Sequence, residues 1–188
     1  MGTLGPNIGG TFVSDATLGV VAITNPNNAQ LSDNTYATSV LLITQLSNYL
    51  KATNFNFNIP LDAVITGITV SIEKSGNTPN ATVDNSVKLV KGGSISGNDK
   101  ASGTLWGTSD TVATYGSASD LWGLTLTPAD INDPTFGVAI SASATLAGTA
   151  QIDQIMITVG YTGSNRFGNA AGHEIKVGDG MSRGEIYP

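Results

Sequence analysis

The chain has 188 residues, no cysteine, one histidine, 12% charged residues and a formal net charge of −6. That length suits one domain able to bury roughly 70% of its unfolded surface without a staple, and the missing cysteines exclude disulfides and thiolate metal sites. An acidic chain repels phosphate, and no window reaches the roughly 18 apolar residues of a membrane span. Neither nucleic acid nor a membrane is an expected partner.

The first residues place Leu4, Ile8 and Phe12 among glycines. This composition reads as an N-terminal arm over 1–17 whose apolar residues would seat on a partner. No basic stretch followed by an apolar one marks a leader. Strand candidates then follow over Val20–Thr24, Tyr36–Gln45 and Tyr49–Phe57. In the last, Phe55 and Phe57 share one face and Asn54, Asn56 and Asn58 the other, as period two requires.

The pattern is clearest further on. Ile68, Val70 and Ile72 alternate with Thr69, Ser71 and Glu73, Val87 and Leu89 flank Lys88, Phe136, Val138 and Ile140 alternate with small residues, and Ile155, Ile157, Val159 and Tyr161 alternate with Met156, Thr158 and Gly160. Asn-Pro, Asp-Pro and Gly-Gly clusters punctuate these runs. One helical signal stands out, Thr127-Pro128-Ala129-Asp130-Ile131, with threonine at an N-cap and proline at the first helical position. About eight strands at this spacing predict an all-β fold, a β-sandwich over 18–162. Long connections such as Lys91–Asp110 favour a jelly-roll-like or Greek-key order over a meander.

A Gly-rich C-terminal arm over 163–188 closes the chain. It has no period long enough to fold alone, yet it spaces out Phe167, Ile175, Val177, Met181, Ile186 and Tyr187, which are candidates for partner binding. Its three basic and three acidic residues cancel, so the body holds the whole excess charge. With few charges and much Ser, Thr, Asn and Gly, the surface suits packed contacts between copies.

Chemistry-bearing residues are sparse. Asp33, Asp84, Asp99, Asp110, Asp120 and Asp133 stand next to turn-forming residues, where an Asp side chain accepts from the backbone two residues on. The lone His173 lies in the C-terminal arm, so neither a nucleophilic triad nor a zinc site is expected, and the chain reads as a non-enzyme without metal or cofactor. Lys88, Lys91 and Lys100 read as a solvated strand edge. Both tryptophans stand in Leu-Trp-Gly triplets, Leu105-Trp106-Gly107 and Leu121-Trp122-Gly123, with Tyr115 between them. As exposed rings, Trp106, Tyr115 and Trp122 are candidates to stack on a glycan. As buried rings, each Trp pins a long connection onto the sandwich through its indole N–H, and this second reading is preferred.

Seven segments occur in order: SDNTYATSVLL from Ser32, NYLKATNFNFNIP from Asn48, AVITGITVSIEKS from Ala63, DNSVKLVKGG from Asp84, DLWGLTLTPADIND from Asp120, FGVAISASA from Phe136 and AQIDQIMITVGYT from Ala150. This array, covering roughly Asn25 to Thr162, resembles a family of β-sandwich proteins encoded by tailed bacteriophages and prophages and taken to be virion structural components. The resemblance implies a place in the virion, many copies and no catalytic residues. It leaves both arms outside the matching region. The expected role is a capsid decoration (cement) protein that binds the major capsid protein, or another virion protein, and neighbouring copies through its arms. A homo-oligomer is expected, with a trimer as one closed form. The alternative is a glycan-binding adhesin module of a phage fibre, tail or cell-surface protein.

Overall fold

A computed structural model of the chain describes residues 2–163. The fold is an all-β sandwich of ten strands: β1 (Gly2–Ile8), β2 (Thr11–Asp15), β3 (Ala37–Leu41), β4 (Tyr49–Thr53), β5 (Val64–Gly76), β6 (Thr82–Lys91), β7 (Ser94–Ser96), β8 (Thr111–Gly116), β9 (Gly137–Ala144) and β10 (Gly148–Thr162). One sheet runs β8–β5–β10. The far edge of β10 is shared, β3 pairing with Gly148–Ile152 and β1 with Met156–Tyr161. The other sheet runs β2–β4–β9–β6–β7, and every pairing is antiparallel.

Strands β3 to β10 alone make two four-stranded sheets, β3–β10–β5–β8 and β4–β9–β6–β7. This is the jelly-roll order, in which the chain passes repeatedly between sheets. Six of these eight fall on expected strands, β3, β4, β5, β6, β9 and β10, whereas β7, inside the Lys91–Asp110 stretch expected as a connection, and β8 carry no clear period and are additional. Period two places Ile68, Val70 and Ile72 of β5 and Ile155, Ile157 and Val159 of β10 on the inner face, all fully buried. Leu50, Val87, Leu89, Val138 and Ile140 meet them from the second sheet. Each such side chain contributes about 1.5–3 kcal/mol by leaving water. The helical signal is one short helix, α1 (Pro128–Asn132). The Thr127 side chain accepts from the Asp130 N–H while Asp130 accepts from the Thr127 N–H, and Ile131 is buried beneath.

The two strands beyond the jelly roll correct the N-terminal reading. Residues 2–15 are not an arm. β1 lies on β10 and β2 on β4, so this segment contributes one edge strand to each sheet. Leu4 packs against the core, Phe12 is buried in it, and only Ile8 is substantially exposed. Glycines hid the strand period, but they serve the crossing: Gly9 abuts the Phe12 and Phe55 rings, and the Gly10 N–H donates to the Thr53 carbonyl at 3.0 Å.

Two other expected strands are shorter or absent. Val20–Thr24 makes only isolated bridges, Val21 with Ser47 and Thr24 with Thr38. The Tyr49–Phe57 run ends as a strand at Thr53, because Asn54 and Asn56 adopt left-handed backbone, φ 59° and 52°. Asn tolerates that region, so Phe55 and Phe57 still reach the core without sheet pairing.

Candidate functional site

The continuation of the β5 pattern sets up the most polar spot inside the molecule. Inward-facing Ile68, Val70 and Ile72 are followed two residues on by Lys74, which is 5% exposed. Asp84 enters from β6, on the opposite sheet, and also points inward. This overturns its reading as a turn residue, since it lies within a strand beside a bulge between Asp84 and Ser86. Lys74 Nζ donates to Asp84 Oδ1 and to the Tyr115 hydroxyl. The Tyr115 hydroxyl donates to Asp84 Oδ2 at 2.8 Å, Trp106 Nε1 to Oδ1 at 2.9 Å, and the Ser102 N–H to Oδ2 at 3.0 Å. Lys74 Nζ also stands 4.6 Å from the Trp106 ring centre and 5.2 Å from that of Tyr115.

Burial pushes the Lys74 ammonium down in pKa, partly offset by the Asp84 charge, while burial and the same carboxylate push the Tyr115 phenol up. Both groups turn their donors to Asp84. The cluster is a charged post tying β5, β6, β8 and the 97–110 connection together across the two sheets.

Trp122 forms a second post. It is fully buried with φ 58°, its Nε1 donates to the Ile68 carbonyl at 2.9 Å, and its backbone N–H donates to Asp120 Oδ1 at 2.8 Å. Lys100 lies 6.0 Å from the Trp122 ring centre and 2.7 Å from Asp120 Oδ2. The three glycan-stacking candidates therefore come close together but turn inward, none more than 4% exposed. Their indole N–H groups do find partners, one a backbone carbonyl and one a carboxylate. The supposed solvated basic edge is also corrected in part: Lys100 pairs with Asp120 and Lys91 with Asp130.

Beside the first post lies a cleft of about 390 Å³. The whole of β8, Thr111–Gly116, lines one side and Lys100, Ser102, Thr104 and Leu105 the other, with Trp106 and Tyr115 at the floor. Residues of both parities from β8 line it, so the cleft runs along the edge of that strand.

A third group is acidic. Glu73, Asp110 and Asp153 each bring a carboxylate oxygen within 4.8 Å of the others, and among the described residues this is the set that converges closely enough to hold a cation. Oxygen donors suit a hard ion such as calcium, which takes six to eight of them. Here Asp110 already accepts from the Tyr36 hydroxyl (2.8 Å) and Ser75 Oγ (2.6 Å), and Asp153 from the Asn34 and Asp33 N–H groups (3.1 and 3.4 Å). The hydrogen bond to Asp110 pushes the Tyr36 phenol up to about 12. These four donors account for the two aspartates as hydrogen-bond acceptors. The turn reading holds for Asp33, Asp99, Asp120 and Asp133, each accepting from the N–H two residues on.

Of the partner-binding candidates, Leu4, Ile8 and Phe12 belong to the sandwich. Phe167, Ile175, Val177, Met181, Ile186 and Tyr187 lie outside the described residues.

One surface feature escaped the sequence reading. Val20, Val40, Leu42, Ile43 and Leu146 are all more than half exposed, reaching 80% at Val20. Their connections are knitted at one end of the sandwich: the Val20 N–H donates to the Leu46 carbonyl, the Thr44 N–H to Ala144 and the Ala144 N–H to Gln45. The signal was a Val-Leu-Leu-Ile run that overshoots its strand.

No family model and no curated protein matches the chain. Among solved structures, the chain is similar to "BiXyn10A CBM1 APO" at a TM-score of 0.41 and 9% identity, over 86% of this chain and 96% of that one. A likeness of this degree carries no inference about function.

Proposed function

We propose that this chain is a structural subunit of a tailed-phage virion, a capsid decoration protein that acts without catalysis and is held by its C-terminal segment and one apolar end of its sandwich. The observation that carries this reading is that apolar end. Five large aliphatic residues exposed at one end of the sandwich, Val40 on β3 and the other four on interlocked connections, mark a contact surface, because single exposed aliphatics are ordinary but clustered ones are not. The chain as a whole is sparsely charged, which suits close packing of many copies, and repeated weak contacts gain strength through avidity.

The glycan-binding alternative needs an open aromatic face. Trp106, Tyr115 and Trp122 are built into the fold instead, with Lys74 already over the Trp106 ring.

The test is co-sedimentation of purified chain with heads of the phage that encodes it. The full chain is expected to pellet with heads, and both the chain ending at Gly163 and a Leu42→Asp/Ile43→Asp variant are expected to stay in solution. Absence of head binding by the full chain, or retention on immobilised polysaccharide instead, overturns the reading.

A further inference from the structure

We propose that the free edge of β8 is the acceptor for the C-terminal segment of a second copy of this chain, which adds there as an extra strand through His173–Val177. This rests on the reading that the C-terminal segment links the chain to its neighbours, and it names where the link is made.

The argument begins with the edges of the two sheets. An edge strand presents unpaired N–H and C=O groups and templates strand addition unless it is covered, broken or charged. β1 carries Pro6, which has no N–H, and a register shift between Leu4 and Asn7. β3 is covered by residues 20–24, with Thr24 and Thr38 exchanging backbone hydrogen bonds of 2.8 and 3.0 Å. The connection after β2 folds back on it, the Ile23 N–H donating to Ser14 Oγ at 2.9 Å. β7 is three residues long. β8 is different. It is six residues, Thr-Val-Ala-Thr-Tyr-Gly, without charge or proline and rich in β-branched residues, and it pairs on one side only, with β5.

The cleft lies along that unguarded edge. Its opposite wall, Lys100–Leu105, stands off β8 and leaves a slot beside it. Leu105 is 42% exposed at the rim, although a large apolar residue there calls for cover. Lys100 is already paired with Asp120, so the slot asks for no counter-charge.

The C-terminal segment holds a matching sequence. His173-Glu174-Ile175-Lys176-Val177 alternates, with Ile175 and Val177 on one face and Glu174 and Lys176 on the other. It is too short to fold alone, but long enough to pair with an edge already formed. Set against β8, the aliphatic face covers Leu105, and the two opposite charges lie outward beside Val112 and Thr114. Gly172, Gly178 and Gly180 flank the pairing stretch and put no side chain against the ends of the slot.

The donor comes from a second copy. Val177 lies 14 residues beyond Gly163, a reach of about 45 Å when extended, enough to cross to a neighbour. Within one molecule, the Ser117–Trp122 turn rests over Gly67 and Gly160 and stands between the end of β10 and the slot, so a chain bound for its own edge must round it. A neighbour's edge imposes no such detour.

The chain has no native cysteine, so cross-linking reads the pairing directly. Full-length Thr114→Cys and Lys176→Cys variants are mixed and mildly oxidised, with Val64→Cys, exposed at the far end of β5, replacing Thr114→Cys as the control. The expected product is a mixed disulfide-linked species of about twice the 19.2 kDa chain mass, in excess over both self-linked species and over the control. Mixed species no more abundant than the control overturn the proposal. So does a Thr114→Cys/Lys176→Cys double variant that closes within single chains on dilution. Head co-sedimentation separates the two readings: heads that bind full chain without the cross-link remove the β8 acceptor and leave the proposed function standing, and loss of both removes both.

Discussion

Asp84 accepts from four donors inside a hydrocarbon core, and the arrangement makes definite demands on substitution. Removing one partner of a buried pair leaves the other charge uncompensated, at about 3–5 kcal/mol. Lys74→Ala is therefore expected to lower the urea midpoint severely. The double change Lys74→Met/Asp84→Leu is expected to cost less than Asp84→Ala alone, since it strands no charge. Trp122→Ala, emptying a fully buried site, is expected to cost about 3–5 kcal/mol, and loss of fold by this variant supports the pinning role over glycan stacking. Asp15 supplies a pH-dependent term. Its hydrogen bond from Lys51, 2.5 Å, with help from Thr17, holds its pKa at about 2 instead of 3.8. A depressed carboxylate stabilises fully above the unfolded value and loses that contribution as pH falls through about 2. Urea midpoints from pH 5 down to pH 2 are expected to fall more steeply for the native chain than for Asp15→Asn, and parallel curves would remove this assignment. Residues of this kind were unevenly legible. Continuing Ile68, Val70 and Ile72 by two places puts Lys74 inward on paper. Asp84 cannot be found that way, because the bulge beside it reverses parity between Asp84 and the inward Val87 and Leu89.

At the scale of elements, what separated expectation from structure was whether a segment carried its own period. β5, β9 and β10 alternate cleanly, and the Thr127–Asp130 capping box announces α1. β1 and β2 do not announce themselves, because glycines and Pro6 interrupt β1, β2 is only five residues long, and both are ordered by the strands already beside them. Deleting Gly2–Ile8 is accordingly expected to lower the Tm, because it uncovers Met156–Tyr161 of β10 and the core beneath Leu4. Deleting Ser164–Pro188 is expected to lower the Tm only by what association between copies contributes, a difference that vanishes on dilution. An unaltered Tm after the first deletion would mean that β1 is dispensable to the sheet. The Asn54–Phe57 stretch teaches the converse lesson: alternation was present and the rings are buried, yet left-handed asparagines withhold the backbone from the ladder.

At the scale of the whole molecule, the exposed aliphatic end and the bare β8 edge are surfaces without partners in a single copy. Light scattering of the full chain is expected to show a defined oligomer, and the chain ending at Gly163 a folded monomer whose Tm, unlike that of the full chain, does not depend on concentration. Because the groups involved are apolar or already paired, the oligomer is expected to persist in 1 M salt, where the Debye length falls to about 3 Å. Dissociation by salt would point to charge contacts instead. The β-sandwich class, the six jelly-roll strands that carry their own period and the inward faces of the long ones follow from the sequence alone, because a period of two with one apolar face has few ways to be buried. β7 and β8 do not follow from it. The N-terminal strands, the inward turn of Asp84, the convergence of Lys74, Trp106 and Tyr115, and the choice of which edge stays open were decided only in three dimensions. Each depends on what a neighbouring strand offers, and pairing partners distant in sequence leave no local pattern to read.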